Sequence, residues 1–211
     1  MKRWIKVPVF VLALGPLFAL GWLALHDGLG ANPIERVTHS TGDWTIRFLL
    51  ITLAITPLRK LLGLPDLIRF RRMMGLFAFF YGVLHLITYV WLDKFFDWPE
   101  IVKDVGKRPF IAAGFFGFAL MAPLAVTSTA GWIRRLGGSR WRLLHRLVYL
   151  SAAAGVIHYL WLVKSDKRGP LLYAGILGVL LAYRIAVKVR DRMKSRRPDK
   201  RIGSAIVTNA G

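Results

Sequence analysis

Three histidines, His85, His145 and His158, lie inside long apolar stretches of a 211-residue chain. An ionisable ring is costly in hydrocarbon, and residues of this kind usually serve function there. The plain alternative for one such ring is a hydrogen bond to a neighbouring helix; three rings on two stretches weigh against it. His26 and His39 fall in a polar connection and read as solvated loop residues. The chain has no cysteine. That excludes disulfides, Cys-ligated iron–sulfur clusters, Cys zinc sites and the covalent attachment of c-type haem. Any metal must be held by imidazole or by oxygen.

The spacing of the three rings suggests what they could hold. His85 falls about seven residues before the outer end of its apolar stretch and His158 about five before the outer end of its own. At about 1.5 Å per helical residue, these levels agree to within a few ångströms. Two facing imidazoles at one level are the arrangement that clamps one iron. His145 precedes His158 by about 13 residues and so lies about 20 Å deeper, giving room for two redox levels. Gly82 and Gly155 each stand one helical turn before a histidine, on the same face. A missing side chain there lets a porphyrin plane lie against the backbone; ordinary small-residue helix packing is the alternative. On one ideal helix His145 and His158 point to different faces, so two cofactors are laterally offset or the helix is distorted. The helix of His85 has no second histidine, and Arg71 and Arg72 occupy its deeper level. An inner haem then takes His145 and some other ligand, or the inner site is not a second haem.

The elements that must position these rings follow from composition. Apolar residues make up 55% of the chain. Runs near the bilayer-spanning length of about 20 residues recur, at 7–25, 44–58, 73–92, 109–127, 143–163 and 170–187. They do not alternate as barrel strands do, and backbone groups in lipid must be satisfied within each segment, so helices are expected. The fold class is therefore all-α: a polytopic membrane bundle of about six helices, with the membrane domain over 1–190 and a frayed basic tail over 191–211. The first run exceeds a signal-peptide core and lacks a small-x-small cleavage site, so it reads as a retained helix. The net charge of +20 first suggests nucleic acid. The charges, however, cluster in alternate connections between the apolar runs, which places both termini in the cytoplasm. The outer stretch 93–108, with Phe95, Phe96, Trp98, Ile101 and Val102, predicts a short interfacial helix.

Several motifs carry a family resemblance. They include Asn32-Pro33-Ile34-Glu35, Thr41-Gly42-Asp43-Trp44, 53–59, Arg71-Arg72-Met73-Met74-Gly75-Leu76 through Tyr81 to His85, Lys107-Arg108-Pro109, 123–128 and 140–150. The paired histidines are similar to those of the ferric reductase and NADPH oxidase transmembrane core. The wider set resembles the MsrQ family, the haem-binding membrane subunits of the bacterial periplasmic methionine sulfoxide reductase system, over nearly the whole chain.

That resemblance implies an inner-membrane electron carrier rather than an enzyme complete in itself. Electrons would come from a cytoplasmic flavin reductase or the quinone pool. They would cross through haem b, one or two copies, with FMN as a possible second cofactor. They would leave to a periplasmic molybdopterin reductase that repairs oxidised proteins. His85 and His158 would ligate an outer haem and His145 would serve an inner cofactor. Arg71, Arg72, Arg142 and Arg146 would meet propionates or an FMN phosphate, although positive-inside topology alone also explains them. Arg71 occupies the level at which the oxidases carry a histidine ligand. No Gly-x-Gly-x-x-Gly fingerprint follows a strand, so NAD(P)H oxidation needs another polypeptide. Two rival readings are a cytochrome b anchor that oxidises quinol for another enzyme and a small proton or ion transporter. No inverted repeat or matching pair of broken helices supports the transporter.

Overall fold

A computed structural model describes residues 5–195. The chain folds into helices α1 (Lys6–Leu25), α2 (Pro33–Leu61), α3 (Ile68–Ile87), α4 (Trp98–Lys107), α5 (Pro109–Val126), α6 (Ala130–Leu144), α7 (Leu147–Leu162) and α8 (Arg168–Ser195), with no strand among the described residues. A 3₁₀ turn, Pro65–Leu67, leads into α3, and a π-helical turn, Thr88–Asp93, prolongs it. The protein is an all-α, polytopic membrane protein. Four helical segments are long and apolar enough to cross a bilayer: α1, α3 with its flanking turns, α5 and α8. The bent pair α6–α7 makes a fifth. Helix α2 is long enough, at 29 residues, but carries Glu35, Arg36, Asp43 and Arg47 and is not apolar enough to join them.

Three expected boundaries are corrected. The second helix starts at Pro33, well before residue 44, because its start is built from capping chemistry. The Asn32 side chain accepts the Glu35 amide at 3.2 Å and donates to the Glu35 carboxylate at 2.9 Å, and Pro33 fills the first turn. His39 is therefore helical, not a loop residue, although it is exposed as expected. The span expected over 143–163 is not one helix. The chain breaks at His145 and Arg146, where the Arg146 amide turns back to the Leu143 carbonyl, and α6 and α7 meet at 43°. The ideal-helix comparison of His145 with His158 therefore does not apply. The last helix begins at Arg168 and runs on to Ser195, so the start of the basic tail is helical; 196–211 lie outside the described residues.

Two antiparallel hairpins dominate the packing: α2 with α3, and α5 with α7. Along α2, Gly42 faces His85, Thr45 faces Gly82, and Thr52 faces Gly75, so α3 runs downward as α2 runs up. In the other hairpin Gly114 faces His158 and Gly117 faces Ala154. Phe48, Phe77 and Tyr81 stack inside the first hairpin at ring separations of 5.4 to 5.5 Å. The Tyr81 hydroxyl donates to the Ala13 carbonyl at 2.9 Å and ties α1 to this core.

Helix α8 is fastened by Arg184. Pro57 has no amide hydrogen, so the Leu53 carbonyl one turn earlier lacks its helical donor. Arg184 supplies one: Nη2 donates to the Leu53 carbonyl at 2.6 Å and Nη1 to the Tyr149 hydroxyl at 2.9 Å. One guanidinium thereby joins α2, α7 and α8. Arg184→Met should lower thermal stability in detergent by about 1–3 kcal/mol, the cost of an orphaned buried acceptor. In a Pro57→Ala background, which restores the amide, the same substitution should cost clearly less. An equal cost in both backgrounds would remove the proline from the explanation.

The short outer helix expected over 93–108 is α4. Its buried face rests on Ile101 and Asp104. The Asp104 carboxylate takes Lys94 Nζ at 2.7 Å, Arg108 Nε at 3.4 Å and the Tyr89 hydroxyl at 3.3 Å. The Lys94 hydrogen bond holds that carboxyl below the usual carboxylate range. Phe95, Trp98 and Val102 project outward.

Candidate functional site

Between the two hairpins lies a cavity of about 330 Å³, lined mostly by apolar groups from α2, α3, α5 and α7. Helix α3 delivers His85 to it and α7 delivers His158. Their ring centres are 6.0 Å apart and their planes lie at 77°. Two imidazoles that bind one metal through Nε2 at about 2 Å hold their ring centres roughly 6 Å apart, so the spacing suits a shared ion.

The protonation pattern suits it as well. His85 Nδ1 lies 3.0 Å from the Thr38 carbonyl, and His158 Nδ1 lies 2.6 Å from the Phe110 carbonyl. A carbonyl can only accept, so both Nδ1 atoms carry hydrogen. In the neutral rings each Nε2 then keeps its lone pair, as a metal-ligating imidazole requires. Among the described residues no group of three or more His, Asp or Glu converges. The site thus offers two imidazole nitrogens, one from each hairpin.

Of the two glycines singled out in the sequence, Gly155 borders open space, with nothing beyond its own stretch of helix within 4 Å of where its Cβ would stand, and it lines the cavity. Gly82 also lines the cavity, but a Cβ there would meet Met121 Cε at 3.0 Å. Gly155 is the better surface for a flat ligand. Two further glycines, Gly42 and Gly114, touch the rings themselves. The Thr41-Gly42-Asp43-Trp44 motif holds the first of these, but nothing in the sequence ties either glycine to a histidine on another helix. His39, Asp43, Asp93 and Arg108 also line the cavity.

His145 stands apart from this pair. It does not line the cavity; its ring stacks on Trp141 at 3.9 Å in the α6–α7 break. Thr127 Oγ1 donates to the Pro123 carbonyl at 2.6 Å, so its 3.2 Å contact with His145 Nε2 makes that nitrogen the donor. The free nitrogen of His145 is therefore Nδ1, the reverse of His85 and His158. Arg71 lies within electrostatic reach of His145 and of Arg184 and is half-buried. Arg72, Arg142 and Arg146 are exposed. Arg184, which no motif in the sequence marks, is the other cation within electrostatic reach of Arg71.

The family described as "Ferric reductase like transmembrane component" matches residues 41–156, which hold α3, α5 and all but the last part of α7. A protein of Herminiimonas arsenicoxydans is 53% identical over 193 residues, covering 90% of this chain and 88% of that protein. One from Rhodospirillum rubrum is 52% identical, covering 92% of this chain and 93% of its own length, and one from Caulobacter vibrioides is 48% identical, covering 89% of each. All three are named protein-methionine-sulfoxide reductase heme-binding subunit MsrQ.

Proposed function

From the premise that this chain belongs to the MsrQ family, with its ferric reductase-like transmembrane component, we propose that it carries electrons outward across the bacterial inner membrane through haem b held by His85 and His158. The observation that supports this most is the pair of imidazoles that line one cavity with ring centres 6.0 Å apart, each with Nδ1 held by a carbonyl so that Nε2 keeps its lone pair. The residues fit the group. Two imidazoles, with no third protein donor among the described residues, would hold a metal that arrives inside a macrocycle, and Gly155 leaves a bare face beside one of them.

Haem, when bound, would supply one-electron chemistry at iron, tuned by the residues that hold and surround it. The chain's own residues do the rest. The Thr38 and Phe110 carbonyls orient the rings and raise the basicity of Nε2. Apolar walls from Ile46, Leu49, Phe118 and Met121 keep water from the site.

His145 serves an inner cofactor, either a second haem or FMN. Arg71, half-buried and within electrostatic reach of His145, is a candidate partner for propionate or phosphate, while Arg72, Arg142 and Arg146 act from the surface. In this reading six helices cross the membrane, α2 included, and both termini face the cytoplasm. The membrane domain covers 1–190 and the basic tail 191–211. The donor is a cytoplasmic flavin reductase or quinone. The acceptor is a periplasmic molybdopterin methionine sulfoxide reductase, which performs the reduction of substrate; this chain is its electron-transfer subunit. A quinol-oxidising anchor shares the haem and differs only in its donor.

The first test is a visible spectrum of the purified protein. A Soret band, with a b-type α band on reduction and pigment extractable without breaking a covalent bond, is the expected result. A colourless protein after reconstitution with haem would overturn the reading and leave the transporter alternative standing.

A further inference from the structure

The two hairpins carry the same three-part device. In α2–α3 it consists of the Thr38 carbonyl, Gly42 and His85; in α5–α7 it consists of the Phe110 carbonyl, Gly114 and His158. The histidine follows its carbonyl partner by 47 residues in one hairpin and by 48 in the other. In both, the glycine is the residue whose amide closes the helical turn on that carbonyl. A helical carbonyl points along the axis toward this fourth residue, whose Cβ stands beside the oxygen. An imidazole arriving from another helix can share the oxygen only where that Cβ is missing.

The clearances agree. A Cβ on Gly42 would stand 3.1 Å from Nδ1 and 3.1 Å from Cε1 of His85. A Cβ on Gly114 would stand 2.9 Å from Nδ1 and 3.1 Å from Cε1 of His158. In each case a crowded atom is the nitrogen that donates to the carbonyl. General helix packing does not require this: Gly117 faces Ala154 and backbone, while Gly175 and Gly178 on α8 border open space.

We propose that Gly42 and Gly114 are positioning residues that admit His85 and His158 to the helix carbonyls, and so fix each ring's tautomer and the near-perpendicular setting of the two ring planes. The redox consequence rests on the haem reading above; the ring geometry does not. A methyl group at either position pushes its imidazole off the carbonyl, frees Nδ1 to exchange roles with Nε2, and turns the ring plane.

The experiment uses the full chain in lipid nanodiscs with ¹⁵N-labelled histidine, haem-free and haem-loaded. In the haem-free protein, NMR should find Nδ1 protonated on both rings. Gly42→Ala should change the His85 signals alone, Gly114→Ala the His158 signals alone, and Gly175→Ala neither. In the loaded protein, the largest g value of the low-spin ferric signal should shift in both variants and stay put in Gly175→Ala. If Gly42→Ala folds poorly, adding His85→Ala should recover most of the lost melting temperature, because the methyl then has room. Ring signals unmoved by Gly42→Ala and Gly114→Ala, equal movement in Gly175→Ala, or a double variant as unstable as the single one would each overturn the proposal. If no haem loads at all, the electron-carrier reading falls, while the haem-free NMR still decides this one.

Discussion

Replacing either His85 or His158 with alanine is expected to abolish six-coordinate low-spin haem, and replacing both should lose little more. The two rings face one cavity with centres 6.0 Å apart, so they act as a single clamp. Effects within one unit do not add. Loss of even an outer-shell partner of a metal-ligating histidine costs about 10–100-fold in affinity, so loss of the ligand itself should cost at least about a hundredfold. Haem content and the low-spin signal should be read in protein shown to insert normally. If His85→Ala and His145→Ala removed one common haem while His158→Ala left all signals intact, the pairing across the cavity would be wrong.

His145→Ala should behave in the opposite way. The outer haem should stay bound, because His145 lies outside the cavity, stacked on Trp141. Entry of electrons from the cytoplasmic side should slow by about tenfold or more, equivalent to about 1.4 kcal/mol of added barrier. The measurement is the rate of haem reduction in oriented proteoliposomes with reduced flavin on the cytoplasmic face. An unchanged rate would remove His145 from the path, and loss of the outer haem would make it part of the first clamp. Because Thr127 engages Nε2, Thr127→Ala offers a milder companion that frees this nitrogen without deleting the ring.

The approach of His85 to His158 is legible in the residues, and the differences elsewhere have physical reasons. The matching levels of His85 and His158 needed only helix rise and approximate span ends, and errors of two or three residues do not spoil them. Hydropathy misplaces the start of α2 because it locates the membrane, not the helix; Asn32, Pro33 and Glu35 carry the better signal. The α6–α7 break was hidden because Leu143, Leu144 and Leu147 continue an apolar pattern across it. Arg184 falls inside the last apolar run, 170–187, close to its basic end, where topology alone explains a cation. What singles it out is a carbonyl freed by Pro57 on a distant helix, and pairings of that kind become visible only once helices are packed. Gly42 and Gly114 were missed for the same reason, since each acts on a ring more than 40 residues away.

The arrangement of the hairpins has a consequence for how the protein matures. Helix α2 packs on α3 across a short turn, and α5 packs on α7 with α6 between them in the chain, whereas the direct junction of α3 with α5 is much smaller. Each hairpin can therefore close soon after insertion, as a local cooperative unit. The cavity belongs to neither unit, because one ring comes from each. A ligand that binds both rings adds its binding energy to the weaker junction, stabilising the docked state in proportion to the logarithm of its free concentration. Cofactor supply during biogenesis would then govern how much of the chain reaches its final form, and cells short of it should accumulate two loosely associated halves that quality-control proteases can reach.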